Sequence, residues 1–289
     1  MSRQPYMSAV NERVIVFDGA FGTFVQGLDL GADDFGGASL EGCNEMLCLT
    51  RPDVIRQMHA AFLDVGVDVL ETASFGSFST VLAEYQIPEK AYELNVAAAR
   101  LARETANEYE ADGRARYVAG SIGPGTKLPS LGHIRFAELR DAYIEQARGL
   151  LVGGADLFLI ETCMDLLQIK AAMIACRRAM AAEGREVPIQ VQVTMETTGR
   201  MLVGSEIGAA LTAIGAMRPD VFGLNCATGP SEMQEHLRYL SQHAPMPISV
   251  LPNAGLPSVV DGRTHYDLTA EALADFHRHH VLDLGIGIV

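Results

Sequence analysis

The chain has 289 residues, 48% apolar and 20% charged, with 22 basic against 36 acidic side chains and a formal net charge of −14. That acidic balance excludes a phosphate-backbone binder, which needs clustered Lys and Arg to displace counterions, so nucleic acid drops out as a partner. No run of about 18 apolar residues and no basic-then-apolar N-terminus occurs, which argues against a membrane span or a signal peptide and predicts a cytoplasmic protein.

In chain order, short β-rich runs at 14–17, 67–71, 116–119, 157–160, 189–193, 221–224, 248–251 and 281–288 read as eight strands. Most are near-continuous apolar runs, as strands covered on both faces should be. Stretches with apolar residues three and four apart alternate with them and predict helices at 53–63, 89–109, 136–152, 166–182, 207–217, 232–243 and 270–279. Gly66, Gly113 and the Gly153-Gly154 pair stand just ahead of the next strand, where C-capping glycines belong. The alternation predicts an α/β fold of the (β/α)8 TIM-barrel type, in one domain spanning 1–289. A doubly wound sheet would carry Gly-x-Gly-x-x-Gly after its first strand, which Asp18-Gly19-Ala20-Phe21-Gly22-Thr23 resembles only superficially. No helix follows the eighth strand, so the expected barrel lacks its last helix. Either the strand count is off by one or the sequence is cut short at its C-terminus.

Working groups of such a barrel collect where strands end. Those ends offer Asp18, Glu71-Thr72, Ser121, Glu161-Thr162-Cys163, Thr194 and Glu196, Asn225-Cys226 and Asn253, with no Lys or Arg at these first positions. Carboxylates facing one another without a basic partner suit a cation or a substrate ammonium; Glu71 has the alternative of capping the next helix. Bare amides of Gly19, Ala20, Phe21 and Gly22 suit an anion such as a carboxylate. Together these features describe a site for an amino-acid zwitterion.

Five cysteines, Cys43, Cys48, Cys163, Cys176 and Cys226, are odd in number and irregularly spaced, which is poor material for a disulfide framework. Cys176 falls inside a helical pattern and is expected in the core. Cys226, at a strand end, reads either as an inert buried thiol or as a nucleophile or soft-metal ligand. No histidine is near it in sequence. His133 is expected in a loop and His277, His279 and His280 on the outer wall, so a Cys-His nucleophile pair is unsupported.

Asp18-Gly19-Ala20-Phe21-Gly22-Thr23, Glu161-Thr162, Gly223-Leu224-Asn225-Cys226 and Pro252-Asn253-Ala254-Gly255 together resemble the homocysteine S-methyltransferases, in the same order and on the same strands. Gly42-Cys43-Asn44-Glu45, the run from Gly120 to Pro129 and Leu202-Val203-Gly204-Ser205-Glu206-Ile207-Gly208 look more specifically like the N-terminal, homocysteine-binding module of the cobalamin-dependent methionine synthases. The similarity runs from about Arg13 to Val289. It implies a zinc-activated thiol: coordination deprotonates a thiol that is mostly protonated at neutral pH, and the thiolate takes a methyl group from methylcobalamin to give methionine. It implies Cys226 as a zinc ligand and Asn253 as the residue whose oxygen fills the open site when substrate is absent. Asp18 and Glu161 are implied to hold the substrate ammonium, with amides around Gly19, Ala20 and Phe21 for its carboxylate. Cobalamin and methyltetrahydrofolate would be held by other domains of the complete enzyme. The family's adjacent Cys-Cys zinc pair is expected directly after Val289, so the zinc site is expected to be incomplete and this fragment inactive alone. Ala73 stands where the family commonly has Asn. A stand-alone methyltransferase using betaine or S-methylmethionine, and a zinc-free docking module, are the alternatives.

Overall fold

Apolar runs that need cover on both faces pair in parallel beneath helices. The computed structural model, which describes residues 3–255, 258–260 and 263–289, places six such strands in one parallel sheet. These are β1 (Val69–Glu71), β2 (Tyr117–Ile122), β3 (Leu157–Cys163), β4 (Ile189–Val193), β5 (Val221–Asn225) and β6 (Ile248–Leu251), in that order across the sheet. Helix α1 (Pro52–Asp64) precedes β1. Helices α2 (Ala91–Tyr109), α3 (Phe136–Gly153), α4 (Leu166–Glu183), α5 (Ile207–Gly215) and α6 (Pro230–His243) form the crossovers. An antiparallel hairpin, β7 (Ser258–Val260) and β8 (Arg263–His265), stands between β6 and helix α7 (Ala270–Leu284).

The sheet is a curled, TIM-like one, and single-residue parallel bridges extend its two edges: Phe17 pairs with Val69, Ser249 with Ile288, and Ile15 with Ile288. The Phe17 amide donates to the Val289 carbonyl at 2.8 Å and the Val250 amide to the Ile288 carbonyl at 2.9 Å. Residues 14–17, expected as a strand, therefore contribute bridges only. Residues 281–288, expected as the eighth strand, divide in two. Positions 281–284 continue the helical period of α7, Gly285 ends the helix at φ +69°, and only Ile288 pairs. A left-handed residue is what stops a helix there, and glycine adopts it without Cβ strain. β2 and β3 each run three residues past their expected ends, so Ser121 and Glu161 lie within strands rather than in loops.

The two-residue period of a strand sorts side chains between two cores. Ile15, Phe17, Val69, Tyr117, Ala119, Leu157, Leu159, Val221 and Ile288 point inward and share one cluster with Tyr6, Ala9 and Val10 of the short helix Tyr6–Glu12. Their alternates, among them Leu70, Val118, Phe158, Ile160, Phe222 and Leu224, pack outward against the helices. The Tyr6 ring meets Tyr117 edge-on at 5.3 Å, and its hydroxyl donates to Gln190 Oε1 at 2.9 Å. Arg3 adds ion pairs to Glu110 and Asp156, so the N-terminal segment stoppers the floor of the curled sheet. On the outside, α3 approaches α2 through Gly149 and Gly153. A Cβ on Gly153 would lie 2.6 Å from the Ala99 Cβ and 2.7 Å from the Val96 carbonyl oxygen. Among the described residues no helix is long and apolar enough to cross a membrane.

Candidate active site

Continuing the inward phase of each strand by one step turns the lining polar. After Val69 comes Glu71, after Ala119 comes Ser121, after Leu159 comes Glu161, and after Gly223 comes Asn225. These four, with Asp18 just beyond the Phe17 bridge, line one cavity of about 610 Å³ at the C-terminal ends of the strands. Gly19, Ala20, Phe21, Cys226 and Asn253 line it too, so every residue singled out from the sequence for substrate or metal faces the same space. Glu45 from the first long loop and Met58 and Phe62 from α1 complete the near wall.

Glu161 is held from both sides. Ser121 Oγ donates to its Oε1 at 2.5 Å and Asn225 Nδ2 to its Oε2 at 3.0 Å. Both oxygens of Asp18 accept from the Glu71 amide at 3.0 Å. Glu71 does not cap the helix that follows it, since that helix (Ser79–Leu82) starts from Phe78 without a side-chain cap. Burial lifts all three carboxyl groups. Asp18 and Glu71 rise well above the ordinary carboxylate range, with the neighbouring carboxylates adding repulsion. Glu161 rises to about 7 even though its hydrogen bonds from Ser121, Asn225 and Thr162 pull the other way. Among the described residues no Lys or Arg lines the cavity. Such a trio does not hold three negative charges at neutral pH unless a cation joins it. Beside Asp18, the amides of Gly19, Ala20 and Phe21 donate to no partner among the described residues.

Across the cavity, Thr162, Cys226 and Ala227 all take left-handed backbone angles, at φ +55°, +57° and +58°. A β-branched residue such as Thr162 is a conformational outlier there, and strain of this kind persists only where surroundings hold it. Asn225 supplies the hold: its Oδ1 accepts from the Thr162 amide at 2.8 Å, and its Nδ2 reaches Thr162 Oγ1 at 3.0 Å and Cys226 Sγ at 3.5 Å. Thr162 Oγ1 also lies 3.5 Å from Cys226 Sγ. Burial pushes the Cys226 thiol up to about 11, the Thr162 contact opposing it and the nearby glutamates adding to it. Unaided, this sulfur stays protonated at neutral pH. Among the described residues no group of three or more His, Cys, Asp and Glu side chains is arranged to hold a metal ion, and all five cysteines are free thiols.

His277 corrects an expectation. It lines the cavity, not the outer wall, because the face of α7 that meets the cavity is the one carrying Leu273 and His277, four residues apart; His280, three residues on, is buried. His280 is fully buried with both ring nitrogens unpartnered, and burial first, then its histidine neighbours, depress it to about 4. His279 pairs with Asp283 at 2.5 Å. The supporting roles of Ser121 and Asn225 were also not assigned from the sequence; the signal was present in the strand phase, since each stands two residues beyond an inward-facing position.

The model of the homocysteine S-methyltransferase family matches residues 15–289. Over 283 residues the chain is 50% identical to the methionine synthase of Mycobacterium tuberculosis and 49% identical to that of Mycobacterium leprae. The match takes in 98% of this chain but 24% and 23% of those proteins, so the chain spans about a quarter of the length of these relatives. Among solved structures, the homocysteine methyltransferase MmuM from Escherichia coli superimposes with a TM-score of 0.75 in its metallated form and 0.78 in its oxidized form. The aligned regions cover 96% and 99% of this chain and 90% and 94% of MmuM, at 20% identity, a likeness of fold. With nearly its whole length matched by the family model and half its residues shared with methionine synthases, the chain belongs to the homocysteine S-methyltransferase family.

Proposed function

We propose that this chain is the homocysteine-binding (β/α)8 barrel module of a cobalamin-dependent methionine synthase. The observation that carries the reading is the pairing, in one cavity, of a cation-seeking carboxylate trio with unpaired amides and a sulfur on the far wall. An α-amino acid bearing a thiol has the matching groups. Asp18 and Glu161 take the ammonium, and the Gly19, Ala20 and Phe21 amides take the carboxylate. The homocysteine sulfur is then directed toward Cys226 and Asn253. In the net reaction the thiol gives up its proton and gains a methyl group, giving methionine. The chain's own residues orient the amino acid and shield it from water. Relatives four times as long fit a methyl donor brought by other domains, with methylcobalamin as carrier and a folate as its source.

Zinc is the ion that the resemblance attaches to this site. Cys226 and Asn253 offer one thiolate and one amide oxygen, short of the three or four protein ligands a zinc site uses, and no metal-ready cluster exists among the described residues. The described residues thus do not fit a complete zinc site, and any further ligands would have to come from outside them. The identity to methionine synthases favours this reading over a stand-alone betaine or S-methylmethionine enzyme.

Calorimetric titration tests the proposal. Homocysteine should bind the chain, and its analogue lacking the amino group should bind at least tenfold more weakly. Equal affinity for the two, or no binding of homocysteine, would remove the zwitterion site.

A further inference from the structure

We infer that Glu71 is a third acceptor for the substrate ammonium, and that the three carboxylates together select a primary ammonium over an N-methylated one. The inference deepens the homocysteine reading and rests on it. Glu71 stands two residues past the inward-facing Val69 and lines the cavity. Its neighbours in the trio are already engaged: Asp18 accepts from the Glu71 amide, and Glu161 accepts from Ser121 and Asn225. Among the described residues no donor reaches the Glu71 carboxylate, and no helix uses it as a cap. Glu71 is partly buried with its carboxylate open to the cavity, and among the described residues no Lys or Arg lines that cavity to pair with it. That leaves the carboxylate free to accept from a ligand donor in place of water.

The count of donors matches. A primary ammonium carries three N–H groups in tetrahedral array. Asp18 follows the Phe17 bridge, Glu71 ends β1 and Glu161 lies in β3, so three separate segments each present one carboxylate to the cavity. Replacing one N–H by N–CH₃ puts a methyl group against a carboxylate and leaves that acceptor unmet. Among the described residues, the charged and titratable groups sharing the cavity with Glu71 are Asp18, Glu45, Glu161, Cys226 and His277. Repulsion from Glu161 and Asp18, on top of burial, agrees with a site arranged around a missing positive charge.

The test is calorimetric titration of the parent chain, Glu71→Gln and Glu71→Leu with homocysteine and with N-methylhomocysteine, melting temperature serving as the check on folding. The parent should favour homocysteine by about tenfold or more. Glu71→Gln should lose roughly tenfold in homocysteine affinity and little for the N-methyl analogue, narrowing the preference, and Glu71→Leu should narrow it further. Should Glu71→Leu fail to fold, the near-isosteric Glu71→Gln decides. An unchanged preference in the folded variants would overturn the role of Glu71 alone, whereas a parent chain that binds no homocysteine would overturn the functional reading and this inference with it.

Discussion

Glu161 carries the sharpest consequences at the scale of single residues. As a charged acceptor for an ammonium, its replacement in Glu161→Gln should weaken homocysteine binding by about 1.5–3 kcal/mol, the usual worth of a hydrogen bond to a charged group. Titration of parent and variant side by side checks this, and equal affinities would take Glu161 out of the site. The same residue links stability to pH. Its folded-state value of about 7 lies above the ordinary 4.5, so the fold favours its protonated form. That contribution is fully present below about pH 4.5 and is lost as pH rises through 7. Asp18 and Glu71, also raised, act in the same direction. Glu161→Gln should therefore melt higher than the parent at pH 8, by up to about 3 kcal/mol of stability, and the gap should close toward pH 4.5. Thermal melts at the two pH values decide it; a gap that is constant or widens on acidification would contradict the assignment. Asp18 and Glu161 were legible in the sequence because a strand end followed by an acidic residue marks a barrel mouth. Asn225 was quoted there without a role, since its work is to hold Thr162, Cys226 and Glu161 together across two strands, and those contacts exist only once the chain has folded.

Among the elements, the α2–α3 pair shows how tightly the outer layer closes. With only hydrogen at position 153, the two helices approach until the Ala99 Cβ and the Val96 carbonyl leave no space for a methyl group. Gly153→Ala should cost about 1–3 kcal/mol, the range for forcing extra volume into a packed contact, even though alanine favours the helix by up to about 1 kcal/mol. Chemical denaturation of the variant measures the balance, and an unchanged midpoint would show that the helices can part at no cost. At the sheet edges the amides of Phe17 and Val250, which donate to the 286–289 segment, should exchange with solvent slowly, as in a ladder. Fast exchange at both would mean that the bridges at Ile15, Phe17 and Ile288 are transient. Strand order and helix alternation were readable from periodicity. The 281–288 segment was not, because an aliphatic run suits helix and strand alike and the decision rests on Gly285, whose φ of +69° no pattern of apolar residues reports. The misplacement of His277 has another origin: Leu273 and His277 lie inside the expected helix, and which face of it meets the cavity is decided by packing against the sheet.

For the whole molecule, ligand binding and folding are one equilibrium. Homocysteine at 100 times its dissociation constant should raise stability by about 2.7 kcal/mol, visible as an upward shift in melting temperature that grows with the logarithm of concentration. No shift at saturating ligand would mean that the cavity is not a site in the folded state. The family membership and the common cavity were foreseen from ordered motifs at strand ends, and the N-terminal stopper was not, since nothing in the pattern of residues 6–12 says which end of a barrel they meet. That stopper sets the traffic of the molecule. Tyr6, Ala9 and Val10 pack into the floor and Tyr6 is tied to Gln190, which closes that end and leaves the mouth, among the described residues, as the side from which the cavity is approached. Under the proposed methyl transfer, the amino acid must come in, and methionine go out, through the doorway that a methyl-carrying domain would have to cover. If a carrier domain does cover that mouth, loading and transfer would take turns: the carrier would have to lift away before methionine leaves and the next amino acid enters.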